Sequence, residues 1–514
     1  MKRYVLSLLL AMSVTGGARA QASLERSTPE EMGVRSTDVQ ELLDVLMGQS
    51  GTALHGVMVL RRGQVIAEAW NAPFKATYRH ALYSVSKTFT AAAVGLCVQD
   101  SLLRLTDSVA QFFPDELPAQ LGDTLQRLTV EHLLTMRSGL PVRYTALRKD
   151  SSQWVRAILG QQPVAEPGTL FAYDSMNSYL LAAIVQRLTG RTLLDFLDER
   201  LFAPMGIRRA AWESSPEGVN CGGWGLYLRL EDVAKFGQLL LDGGRWRGKQ
   251  LLDEAWVRAM MTPAVTQGGN QGYGYQLWMT SRSGTVRADG AYGQYLFVVP
   301  DKQMVVAVFQ NQVTSGGGNP GGDQWLAISR LLNKVTSETA LPKDPASALL
   351  RKRQEGYQMQ PTRGEERSAR HLSLYTQPVV LQLGGNLLGW ETLRISQARN
   401  GELKLGVTTV RGEKYVIACG HGKWVTGKIK GDPLVYRERQ FLGQFSGLQT
   451  PFYVAGSYGW FGNNGDDLFV RLHYVNWISG CRLQFSFTGP LVSSLKLRLG
   501  HTTKDLVIPI LRSE

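Results

Sequence analysis

Along residues 26–335 the apolar positions change period several times, and each change marks an element. Ser27-Thr28-Pro29-Glu30-Glu31 is a helix-start signal, and Val39, Leu42, Leu43, Val45 and Leu46 follow at helical spacing. From His55 to Trp70 the period shortens. Val57-Met58-Val59-Leu60 and Val65-Ile66-Ala67-Glu68 flank Arg61-Arg62-Gly63-Gln64, which predicts a hairpin turned at glycine. Residues 91–98 are then almost wholly apolar, predicting a helix buried on nearly every side, with Tyr83-Ser84-Val85-Ser86-Lys87 leading into it. A third helix is predicted from Thr129, a capping residue, to Gly139. A fourth carries Leu180, Leu181, Ile184, Val185 and Leu188 inward and stops at Gly190, and a fifth lies in residues 230–236. Strands are predicted at 273–279, 285–288, 292–299 and 303–309, the last two joined at Pro300-Asp301-Lys302, and such short connections mean antiparallel pairing. A helix over 323–332 closes this region.

From Leu341-Pro342 to about Arg370 the chain is charged and proline-bearing, the signature of a linker with one helix. Beyond it the period is two: residues 402–407, 415–418, 468–472, 483–487 and 495–499 alternate between turns rich in glycine, asparagine and aspartate. That pattern predicts an all-β sandwich or small barrel. The expected organisation is residues 1–20 as a signal peptide, 21–335 as one domain of an antiparallel sheet flanked by helices with a helical subdomain, 336–370 as linker and 371–514 as the β-domain.

The chemistry starts at Ser84. It sits at the first turn of a buried helix, where free backbone N–H groups and the helix dipole favour negative charge. Lys87, three residues on, projects from the same face, and a desolvated lysine can take a hydroxyl proton. On these residues alone two readings stand: a nucleophile with its base, or an N-cap serine followed by a solvated lysine. Ser493 and Lys496 share the spacing, but in a regular strand an odd separation puts them on opposite faces. His132 lies mid-helix beside apolar neighbours, a structural setting. Gly316-Gly317-Gly318-Asn319-Pro320-Gly321 fits G-x-G-x-x-G, yet it follows an antiparallel strand and contains proline, so a loop is expected rather than a dinucleotide site. No G-x-S-x-G elbow, H-E-x-x-H or cysteine–histidine metal spacing occurs.

Composition narrows the setting. The 514 residues are 44% hydrophobic and 19% charged, as in a soluble globular protein of two domains. Lys2-Arg3, an uncharged run over residues 5–14 and Ala18-Arg19-Ala20 form the three parts of a secretory signal, too short to span a bilayer. A periplasmic or secreted protein starting near Gln21 is expected, with no transmembrane segment after processing. Its loss would remove three positive charges from a formal +13, and no arginine-rich run or aromatic motif points the remaining basic balance at nucleic acid. Cys419 and Cys481 fall in the same region and are a candidate disulfide, with free buried thiols as the other reading.

Four motifs occur in order: Ser84-Val85-Ser86-Lys87, Leu133-Leu134-Thr135-Met136-Arg137-Ser138-Gly139-Leu140, Pro167-Gly168 with Phe171-Ala172-Tyr173, and Gly290-Ala291-Tyr292-Gly293-Gln294. Together they resemble the serine hydrolases related to class C β-lactamases and D-Ala-D-Ala carboxypeptidases, over residues 26–335. The resemblance implies Ser84 as nucleophile, Lys87 as base, Tyr173 in proton transfer to the leaving group, and backbone N–H groups of Ser84 and Ala291 as the oxyanion hole. It implies no metal and no organic cofactor, and a small-molecule or peptide-like ester or amide as substrate. Two departures bear on that substrate. Tyr173-Asp174-Ser175 stands where penicillin-active relatives carry Tyr-x-Asn, so Ser175 replaces an amide. Ala288-Asp289-Gly290 stands where they carry Lys-Thr-Gly, so a cation is missing and Asp289 is expected to repel a substrate carboxylate. Within enzymes the alternative is a β-lactamase or D,D-carboxypeptidase with Arg287 serving the carboxylate; outside them, a silent binder of cell-wall peptides.

Overall fold

The computed structural model describes residues 23–49, 52–119, 122–141, 153–267, 271–312, 322–368, 371, 374, 377–398, 400–429, 452–462, 465–478, 480–500 and 504–514. The expected signal segment and the 316–321 glycine run lie outside the described residues. Arg62 and Gly63, both at positive φ, turn β1 (Thr52–Arg61) into β2 (Gln64–Trp70), as the alternation predicts. β1 pairs with the last strand of the domain, Met304–Gln312, so the two ends of the region meet in the middle of one sheet. Among the described residues nine strands lie in the order Glu25–Arg26, β2, β1, Met304–Gln312, Gln294–Val299, Val286–Gly290, Trp278–Met279, Gln271–Tyr273 and Val265–Gln267.

Helix α1 (Ser36–Gly48) and a C-terminal helix, Gly322–Lys334, cover one face of this sheet, burying Leu42, Leu43, Leu46, Ile328 and Leu332 against Val57, Val59 and Val306. The other face carries α2 (Ser86–Gln99), whose residues from Ser86 to Cys97 are all buried. Gly95 makes that possible on one side. A Cβ there would fall 2.2 Å from Nε1 of Trp256, which donates to the Ala91 carbonyl at 3.1 Å. Helix α3 (Ser175–Thr189) packs across α2, and α4 (Leu230–Leu241) lies on the same side of the sheet.

Three local expectations change. The 129–139 helix ends early, at Leu134, because Met136 takes φ +57°. His132 completes a capping box with Thr129 and is structural, as expected. The predicted 273–279 strand is broken by a turn at Gln276, φ +58°, whose buried side chain donates to the Leu133 and Leu134 carbonyls and accepts from Ser178. The charged segment after residue 335 docks: its helix, Ala346–Gly356, buries Leu350 against α1, and the Tyr357 hydroxyl accepts from Gln40.

Among the described residues the C-terminal region is all β, one eleven-stranded sheet wrapped round its own core. Its final segment pairs with both edges, Leu506–Val507 with Leu491–Leu499 and Ile510–Ser513 with Val379–Leu383. Inward positions alternate strictly, for example Leu468, Val470 and Leu472 opposite Phe485, Leu483 and Cys481. The expected cysteine pair is not bridged. Cys419 and Cys481 are free, in one row but three strands apart with Gly456 and Leu472 between, so about 14 Å of sheet separates them.

Candidate active site

Ser84 lies in a 3-10 turn, Tyr83–Val85, that runs straight into α2. Neither the turn nor the helix is capped by a side chain, so Ser84 is not an N-cap serine. Lys87 is 1% exposed, and its Nζ donates to Ser84 Oγ at 2.9 Å, to Ser175 Oγ at 2.9 Å and to the Gly223 carbonyl at 2.6 Å. The solvated-lysine reading is thereby excluded. Burial pushes the Lys87 ammonium down to about 7, while the charge of Asp174 pulls it upward. The other serine of the motif is occupied elsewhere, since buried Ser86 Oγ accepts from the Leu226 N–H at 3.1 Å.

Tyr173 arrives from a turn held by Ala172 N–H donating to the Met136 carbonyl at 2.9 Å. Asp174 then caps α3, accepting from Met176 N–H at 3.0 Å, and this sets Ser175 at the helix start facing Lys87. The Tyr173 ring centroid is 4.9 Å from Lys87 Nζ. Its ring packs on Trp278 at 5.3 Å and edge-on to Tyr273 at 6.1 Å, so aromatic walls fix its orientation.

The strand Val286–Gly290 ends against the serine turn. A Cβ on Gly290 would fall 2.4 Å from the Leu82 carbonyl oxygen, which is why glycine stands there, and Ala291 follows directly. Ala288, 2% exposed, belongs to the α2 core. Alternation puts Arg287 and Asp289 on the opposite face, where Asp289 stands across from Tyr295. Arg287 Nε donates to both Asp289 oxygens at 2.9 Å. Burial raises the Asp289 carboxyl to about 6 against the pull of Arg287. The two expectations drawn from this strand change accordingly: Asp289 is charge-compensated rather than a bare repelling anion, and Arg287 is committed to it.

Sequence reasoning placed Ser84, Lys87, Tyr173 and Ser175 together, and they are together. It missed the Gly223 carbonyl. The signal was there in Cys221-Gly222-Gly223-Trp224-Gly225, because a Cβ at Gly222 would lie 2.3 Å from the Ser178 carbonyl oxygen and one at Gly223 2.8 Å from Ser175 Cβ. It also missed Gln276, which ties the short Val130–Leu134 helix to α3. Among the described residues no group of three or more histidine, cysteine, aspartate or glutamate side chains converges as a metal site, and no helix is long and apolar enough to cross a membrane.

The family model described as Beta-lactamase matches residues 39–328. The 6-aminohexanoate-dimer hydrolase of Paenarthrobacter ureafaciens is 26% identical over 312 residues, 54% of this chain and 78% of that protein. The D-aminopeptidase of Brucella anthropi is 31% identical over 167 residues, 30% of this chain but only 32% of the relative. The crystal structure of a penicillin-binding protein homologue from Caulobacter crescentus superimposes with a TM-score of 0.50 at 19% identity, covering 61% of this chain and all of that one, a likeness of fold. With its family model spanning more than half the sequence over the strands and helices that carry Ser84 and Lys87, the chain belongs to the beta-lactamase family of serine hydrolases.

Proposed function

We propose that this protein cleaves an ester or amide bond through an acyl-enzyme on Ser84. Ser84 Oγ attacks the carbonyl carbon while Lys87 Nζ takes the hydroxyl proton. Backbone N–H groups of Ser84 and Ala291 stabilise the oxygen that becomes negative. Tyr173 passes a proton to the leaving alcohol or amine, the carbonyl re-forms, and water then attacks the acyl group and releases the acid.

The observation that carries this reading is the buried Lys87 ammonium, held near neutrality 2.9 Å from the hydroxyl it must deprotonate. A base that titrates near the working pH is half unprotonated and still strong enough to pull the proton. The relatives, named for hydrolysing a 6-aminohexanoate dimer and for aminopeptidase action, support small amides as a substrate class. Ala288 in place of a lysine, and the electroneutral Arg287–Asp289 pair, support neutral or amine-bearing substrates over carboxylate-bearing ones. A charge-assisted contact to a carboxylate contributes about 1.5–3 kcal/mol, so its absence is worth roughly tenfold to a hundredfold in affinity.

The test is a panel of kcat/KM values on short neutral esters, D-amino-acid amides and penicillins. Turnover of neutral esters or amides well above that of penicillins, lost in Ser84→Ala, is the expected result. Penicillin hydrolysis faster than ester hydrolysis would assign the protein to the β-lactamase alternative.

A further inference from the structure

Two bulky side chains flank the Ser84 and Ala291 backbone on conformations that glycine adopts most easily. Tyr83, the residue before Ser84, has φ +49°, and Tyr292, the residue after Ala291, has φ +64°. A Cβ in the left-handed region crowds the backbone, and such strain persists where the surroundings and the function hold it. The two rings pack edge-on, with centroids 5.4 Å apart at 60°, and both residues are half-buried.

What backs them comes from the second domain. Trp477, 4% exposed, lies in the turn between the strands Asp467–Tyr474 and Gly480–Thr488, with its ring 5.1 Å from Tyr83 and stacked on Tyr227 at 6.3 Å. Hydrogen bonds tie that turn to the hydrolase domain a few residues before Ser84. Ala81 N–H donates to the Asn476 carbonyl at 3.1 Å, and Asn476 Nδ2 donates to the Arg79 carbonyl at 3.1 Å. The Asn476 side-chain oxygen is itself fixed by the Tyr453 N–H at 3.0 Å. The β-domain turn therefore cannot shift without moving the support of Tyr83.

We propose that Tyr83 and Tyr292, backed by Trp477, form an aromatic subsite beside Ser84 for a flat, uncharged, apolar group of the substrate, so that the β-domain takes part in substrate choice. The tyrosines offer edges and faces to a ring, whereas Trp477 is buried and acts as a positioning residue through them. This rests on Ser84 being the nucleophile.

The experiment measures kcat/KM in two ester pairs: 4-nitrophenyl phenylacetate against 4-nitrophenyl acetate for the acyl side, and phenyl acetate against ethyl acetate for the leaving-group side. The proteins are wild type, Tyr83→Gly, Tyr292→Gly, Trp477→Leu and Trp460→Phe, each counted for competent sites by fluorophosphonate labelling at Ser84. Glycine suits both backbones, so the glycine variants are expected to fold. The aromatic-to-small ratio in at least one pair falls by about tenfold in the glycine variants, the equivalent of one ring contact with its buried area. It falls about threefold or more in Trp477→Leu, and Trp460→Phe, a ring inside the β-domain, leaves it unchanged. Normal labelling with both ratios unchanged in the glycine variants overturns the subsite alone. A fall in the glycine variants but not in Trp477→Leu overturns the part given to the β-domain. Wild-type protein that is unlabelled at Ser84 overturns the catalytic reading instead.

Discussion

The chain holds the spacing S-x-x-K twice, and the two copies have different fates. Ser84 and Lys87 stand at the start of a buried helix, where three residues make less than one turn and bring Nζ to 2.9 Å from Oγ. Ser493 and Lys496 lie on an outer strand of the β-domain. There a β-bulge skips Ser493 in the ladder, since Ser494 pairs with Ser486 and Val492 with Phe487. That corrects the expected regular alternation but not its conclusion: exposed Ser493 donates to the Ser486 carbonyl at 3.1 Å. Spacing supplies proximity only in the right secondary structure, and proximity supplies reactivity only where burial removes water from the lysine.

The sharpest break between the two copies is by alanine. Ser84→Ala and Lys87→Ala are each expected to lower kcat/KM by about three orders of magnitude or more, without adding in the double variant, because the pair acts as a unit. Ser493→Ala and Lys496→Ala should leave it unchanged in the same assay. Tyr173→Phe comes next, with an expected loss of about a hundredfold, the usual contribution of a positioned proton donor, concentrated in substrates with poor leaving groups.

pH sharpens the comparison further. With Lys87 lowered to about 7, kcat/KM should rise about tenfold per unit below that pH and level off above it as the amine becomes neutral. Stability moves with pH for a separate reason, at the domain junction. His80, bonded to His55 at 2.9 Å, is lowered to about 4 by burial, and His473 of the β-domain to about 3. The unfolded chain therefore binds protons that the folded one refuses. Their contribution is full above about pH 6.5 and is lost as pH falls toward 4, by on the order of 3 kcal/mol for His80, readable as a falling Tm. The smallest expected effect is Ser86→Ala. It strands the Leu226 N–H at about 1–3 kcal/mol of stability and spares the reactive pair, separating the two serines of one motif.

The sheet, the buried helix and the serine–lysine–tyrosine set were legible because each rests on local periodicity or a fixed offset. The alternation of Val57 to Leu60 gave a strand, and the uniform run after Lys87 gave a core helix. What escaped depends on residues far apart in the chain. Gly223 reaches Lys87 across a separation of 136 residues, and Asn476 reaches Arg79 across 397. The glycine run at 221–225 marks a close approach without saying to what, and local pattern carries no trace of the Asn476 contact. The Gln276 turn escaped because a polar residue within an apolar run reads as the outward face of a strand, whereas here it is buried and bonded to two helices. The cysteine pair failed because shared region is not shared rung: register, unknown from sequence, put two strands between them.

The central claim, that Ser84 alone forms the covalent bond, is tested most directly by peptide mass spectrometry after brief exposure to a fluorophosphonate. One adduct per chain on the peptide carrying Ser84, absent in Ser84→Ala and strongly slowed in Lys87→Ala, is the predicted result. An adduct on Ser86 or Ser493, or labelling that survives Ser84→Ala, would contradict it.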